Sequence, residues 1–74
     1  MILPQIGEMC QVVRKGEGQD EARTLWSGRP KDVQIQWEKL GDNEYLKVFV
    51  WDGGKGFEWI VRPNIIVVPI KEPQ

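Results

Sequence analysis

Between Glu44 and Ile70 the chain reads as two strands around Asp52-Gly53-Gly54-Lys55, then Arg62-Pro63-Asn64 and an almost wholly apolar run, and this constrains the fold more than any other stretch of the chain. Adjacent glycines supply the positive-φ conformations that a two-residue type I′ hairpin turn demands and that residues with a Cβ resist. The turn sets Asp52 opposite Lys55 and so fixes a register. In that register Leu46, Val48 and Val50 share one face with Phe57, Trp59 and Val61. Tyr45, Lys47, Phe49 and Trp51 fall on the other face with Glu58, Ile60 and Arg62. A slip of one residue would pair Val50 with Glu58 and Leu46 with Arg62, and so drive charge into the core. The first face is therefore expected inside, and the second is a solvent face that is half aromatic.

The same logic extends in both directions. Val33, Ile35 and Trp37 alternate with Gln34, Gln36 and Glu38, a period-two pattern that marks a half-buried strand. Gly41-Asp42-Asn43 is a turn cluster, and any odd-sum pairing across it sets Val33, Ile35 and Trp37 beside Leu46, Val48 and Val50. Met9 to Arg14 reads as a first strand, with β-branched residues at its centre. Lys15 to Asp32 then forms a long polar connection. Within it Asp20 is positioned to cap a short helical turn carrying Ala22, Leu25 and Trp26, which would fold Trp26 onto one end of the structure. Pro63-Asn64 breaks the pairing after Arg62 as a tight or 3₁₀ turn. Ile65 to Ile70 is a last strand, whose Pro69 belongs on a sheet edge.

Strand, long loop, strand, short turn, strand, tight turn, strand, single helical turn, strand: this order, with Gly53-Gly54 and Pro63-Asn64 in place, resembles the Src-homology-3-like small barrel at superfamily level. The resemblance implies an all-β, five-stranded barrel over about residues 6–70 of a single domain (1–74), with 71–74 as a tail. Peptide-binding members carry an Ala-Leu-Tyr-Asp-Tyr-like start and a paired-Trp motif after the second turn. Neither is present, so polyproline recognition does not carry over. Gly7-Glu8-Met9-Cys10-Gln11-Val12-Val13 is similar to the opening of members that bind RNA or ribosomes.

Composition narrows the function classes. At 74 residues the chain buries only about 60% of the surface its unfolded form exposes, which leaves little room for a large cavity. A 41% hydrophobic and 28% charged composition with four Trp describes a folded chain. Ten Lys and Arg against eleven Asp and Glu leave a net charge of −1, so no global field draws the protein toward nucleic acid or anionic lipid. The sequence has no His, the commonest general base and metal ligand, and no catalytic group, metal site or cofactor is assigned. The lone Cys10 reads as a buried small hydrophobe. Glu17, Asp20 and Glu21 lack the alternating ligand spacing of a calcium loop, and neither Lys15-Gly16-Glu17-Gly18 nor the Gly53-Gly54 segment opens a helix as a phosphate loop must. Without a signal peptide or membrane-spanning stretch, the expected location is cytoplasmic.

What stands out is the solvent face of the middle strands. Tyr45, Phe49 and Trp51 with Ile60 occupy positions where a monomer ordinarily shows Thr, Lys and Glu, and Lys47 and Arg62 lie among them. Contiguous exposed apolar surface marks interfaces, and Tyr, Trp and Arg are enriched at their hot spots. One reading makes this face a second small core covered by the Trp26 loop or the termini. The other makes it the site of a non-enzymatic interaction module that binds a protein partner or its own copy. The alternative partner is RNA or DNA, with bases stacked on the same aromatics and phosphates held by Arg14, Lys15, Lys47 and Arg62.

Overall fold

A computed structural model describes residues 3–19 and 21–71. It is all-β, with six strands: β1 (Cys10–Arg14), β2 (Arg23–Gly28), β3 (Asp32–Leu40), β4 (Asn43–Trp51), β5 (Gly56–Ile60) and β6 (Ile65–Pro69). They form two three-stranded sheets, in the orders β2-β1-β6 and β3-β4-β5, and every pairing is antiparallel. No ladder joins one sheet to the other among these strands.

The expected β4–β5 register is present, and β3 pairs with β4 on the expected faces. Val33, Ile35 and Trp37 lie opposite Val50, Val48 and Leu46, and Val50 and Val48 lie opposite Phe57 and Trp59. Beyond the ladder, the Val61 N–H donates to the Leu46 carbonyl at 2.8 Å. The turn that sets this register differs in type from the one expected. Gly53 has φ +101° while Gly54 stays outside the left-handed region. Positive φ at the first central residue alone is the II′ pattern, not I′. The Asp52 side chain explains the choice: its Oδ1 accepts from the N–H groups of Gly54 (2.8 Å) and Lys55 (2.7 Å), an Asx-type bond that orients the second peptide. The Asp52 N–H donates to the Lys55 carbonyl at 3.1 Å. Gly41, at φ +64°, gives the β3–β4 turn the same pattern.

The long first loop and its helical turn are corrected. Residues 23–28, read as a helical turn with Leu25 and Trp26, form strand β2 instead, so there are six strands where five were expected. The Asp20 cap lies outside the described residues. The β1–β2 ladder shifts register between Val12 and Val13, where Trp26 and Thr24 are the successive partners and Leu25 is the extra residue. A bulge of this kind breaks the period-two pattern. Leu25 and Trp26 accordingly both pack against the core although they are neighbours.

Cys10, Val12 and Val67 from the first sheet meet Val48, Val50 and Trp59 from the second. Trp59 stacks on Phe57, with ring centroids 5.7 Å apart. Pro4 is buried, and Leu3 packs on the core. The Gly7 N–H donates to the Pro30 carbonyl at 2.8 Å, which ties the N-terminal segment to the connection between the sheets. The Ile65 N–H donates to the Arg62 carbonyl, which makes Pro63-Asn64 a tight turn and not the single helical turn of the expected strand order, and Pro69 sits on the outer strand β6.

Two residues assigned to the core are not in it. Trp37 is 70% exposed and Ile35 45%. They are on the expected face, but β3 and β4 run nine residues each, about 30 Å, against five or six in the facing sheet. The distal half of the β3–β4 hairpin overhangs the layer that would have covered it.

Candidate functional site

The solvent face of the β3-β4-β5 sheet carries all six residues expected there. Tyr45, Lys47, Phe49 and Trp51 alternate along β4, Ile60 on β5 lies opposite Lys47, and Arg62 follows β5. Trp51 is 40% exposed, while Tyr45, Phe49 and Ile60 are half-buried. Trp26 does not cover this face. It lies in the other sheet, against the core and over Gly28.

Each aromatic has a local support. A Cβ on Gly56 would stand 2.9 Å from the Phe49 ring and 3.6 Å from that of Trp51, so the missing side chain on β5 is the space into which Phe49 settles. The Arg62 guanidinium stands 5.9 Å from the Tyr45 ring centroid, at the limit of a cation–π contact. Lys47 emerges between Tyr45 and Phe49 and reaches Glu38 Oε2 on β3 at 2.9 Å and Glu58 Oε2 on β5 at 3.6 Å. The hydrogen bond to Glu38, with the charges of Glu38 and Glu58, raises the Lys47 ammonium above the usual lysine range despite some desolvation. Its charge is paired within the face, where one ammonium between two carboxylates leaves the cluster net negative.

The Lys47 partners were not foreseen, although Glu38 and Glu58 are diagonal neighbours of Lys47 once the register is known, and diagonal pairs lie within reach of long side chains. Ile35 and Trp37 were also missed as surface residues. The signal for them is the length of β3 and β4 compared with Cys10–Arg14.

Arg14 and Lys15 stand elsewhere. The Lys15 N–H donates to the Asn64 carbonyl at 2.7 Å, and both basic residues line an open cavity of about 750 Å³ with Glu17, Gln19, Arg23 and Asn64. The lining is polar, contains no aromatic ring, and mixes both signs of charge. Cys10 is a buried free thiol, and burial, followed by the charge of Glu8, pushes its pKa up. Among the described residues no group of three or more His, Cys, Asp or Glu could hold a metal ion, and no helix is long and apolar enough to cross a membrane.

No protein family, no curated protein and no solved structure matches this chain.

Proposed function

We propose that this chain is a non-enzymatic interaction module that binds protein through the outer face of the β3-β4-β5 sheet, with Trp51, Phe49 and Tyr45 as anchors and Ile60, Lys47 and Arg62 around them. The observation that carries this reading is the coexistence of exposed aromatic surface with a lysine already paired inside the face. Lys47 is satisfied by Glu38 and Glu58 before any partner arrives. A docking protein can cover Trp51 and Phe49 without leaving that ammonium unpaired, which would cost far more than the aromatic burial returns. The same observation weakens the nucleic-acid reading, because a lysine already bridging two carboxylates is a poor phosphate ligand.

The architecture we read as a small barrel of the Src-homology-3-like type. Support comes from the strand order. β2 and β3 follow one another across Arg29-Pro30-Lys31, and if they are two halves of one strand broken at Pro30, the six strands reduce to the five of such a barrel, with the broken strand serving both sheets. A cytoplasmic location belongs to the same proposal.

Titration with short RNA and DNA oligonucleotides over a range of salt concentrations tests the function. The expected affinity is no better than about 10⁻⁴ M at physiological salt, the weak end of non-specific binding. Micromolar affinity that falls steeply with salt, and is lost in the Lys47→Glu, Arg62→Glu double variant, would replace the protein interface with a nucleic-acid one.

A further inference from the structure

A different surface, the free edge of β3, carries an inference that does not depend on the aromatic face. Each sheet has two edge strands, and three of the four are blunted by devices that discourage pairing with another chain. β2 carries the bulge at Leu25. β6 is five residues long and ends in Pro69. β5 is also five residues long, has Glu58 at its centre and runs into Arg62-Pro63. β3 has no bulge, no proline and no shortness to blunt it. It runs nine residues, its ladder with β4 is unbroken from Asp32 to Leu40, and its charges (Asp32, Glu38 and Lys39) lie toward its ends, leaving Gln34, Ile35, Gln36 and Trp37 uncharged and all exposed.

This edge is also self-complementary. Leu40 and Asn43 flank a two-residue turn and so form a hydrogen-bonded pair. The even-numbered residues of β3 therefore bond to β4, and the N–H and carbonyl groups of Val33, Ile35, Trp37 and Lys39 point outward. In an antiparallel pairing of two β3 strands, only registers centred on a residue keep like faces together. Centring on Gln36 is the one choice that pairs the whole strand, Asp32 with Leu40 through to Leu40 with Asp32. It sets Ile35 against Trp37 twice on the inner face and Gln34 against Glu38 twice on the outer face, and no like charges meet. Centring on Ile35 would oppose Asp32 to Glu38 and Lys31 to Lys39. Centring on Trp37 would pair only residues 34–40, and its Ile35–Lys39 contact is no better than the Val33–Lys39 contact of the Gln36 register.

We propose that β3 pairs with β3 of a second copy, antiparallel about a two-fold axis at Gln36, to give a continuous six-stranded sheet β5-β4-β3-β3-β4-β5. The pairing satisfies the outward backbone groups of both edges and covers the overhanging Trp37 and Ile35 with each other.

Gln36→Glu is the discriminating variant. Within one chain residue 36 is exposed and faces Lys47, which offsets the repulsion from Glu38, so the monomer's cost is small, but across the axis the new carboxylate meets its own copy. Light scattering over a concentration series should show the wild type passing from 8.6 kDa to twice that mass. Gln36→Glu should weaken the dimer about fivefold or more, and an equimolar mixture with Gln36→Lys should restore it. Register is read by oxidation. Two Cys at position 36 face each other as a non-hydrogen-bonded pair, Cα atoms about 4.5 Å apart, within disulfide range. At position 34 they are offset by four residues, about 13 Å. Gln36→Cys should cross-link and Gln34→Cys should not, and the buried Cys10 does not compete. A wild type that is monomeric at all concentrations would overturn the edge pairing and leave the proposed function standing. So would equal cross-linking at 34 and 36. A dimer that survives Gln36→Glu and is lost in Trp51→Ser would also overturn it, and would move self-association to the aromatic face.

Discussion

Replacing Val48 with Ala probes the register where it is most sensitive. Val48 is wholly buried and lies between Ile35 on β3 and Trp59 on β5. Truncation removes two carbons, about 1.6 kcal/mol at roughly 0.8 kcal/mol per buried group. If the surroundings do not collapse, a void of about 50 Å³ adds about 1.2 kcal/mol at ~24 cal/mol per Å³. The sum, about 2 to 3 kcal/mol, is a large share of the ~4 to 11 kcal/mol typical of a 74-residue domain. Urea unfolding followed by tryptophan fluorescence should show a lower midpoint with an unchanged slope, which marks lost stability and not a changed denatured state. The neighbouring Lys47→Ala is the internal control. Its side chain lies on the opposite face in a solvent-screened ion cluster, so its loss should be clearly smaller. If Lys47→Ala were as damaging as Val48→Ala, the inner and outer faces of β4 would be interchanged and the reasoning refuted.

Three further outcomes are checkable with the same unfolding assay. Gly53→Val should cost on the order of 1 to 3 kcal/mol, because a branched residue is forced to positive φ, and Gly54→Val should cost less, since Gly54 does not occupy that region. Equal losses would contradict the II′ turn. Trp59→Ala should cost about 3 to 5 kcal/mol, whereas Trp37→Ser, on the overhang, should stay within roughly 0.5 kcal/mol at concentrations where the chain is monomeric; comparable losses there would mean the overhang is packed within one copy. Asp52 supplies a pH test. The N–H groups of Lys55 and Gly54 lower its pKa in the fold, so its contribution is present above the unfolded value of about 3.9 and disappears as pH falls through the lower folded value. Asp52→Asn should flatten the acid limb of the stability profile, and an unchanged limb would show that the carboxylate's bonds contribute nothing.

The middle sheet was legible because the signals that define it are local. Alternation gives the face and Gly53-Gly54 gives the β4–β5 offset, while Gly41-Asp42-Asn43 leaves the β3–β4 offset open because every odd-sum pairing keeps the same faces together. The turn type was not legible, since two glycines permit both I′ and II′ and the choice falls to the Asp52 carboxylate. Strand β2 was hidden by its bulge: with Leu25 and Trp26 both directed inward, the period-two pattern fails and the spacing imitates a helical turn. Trp37 shows another limit. Its face follows from β3 itself, but its exposure depends on the length of a different sheet, paired from residues distant in sequence. The six residues of the outer face were readable as a group, whereas the Glu38–Lys47–Glu58 cluster emerges only once three strands are aligned.

The claim that the outer face binds protein is tested most directly by placing a photo-crosslinking benzophenone side chain at position 51 in living cells, with the same group at the exposed loop position 17 as the reference. The account predicts discrete protein adducts at 51 that are absent at 17 and disappear when Phe49→Ser is added. Adducts that are equal at the two positions, or that carry RNA or DNA at 51, would contradict it.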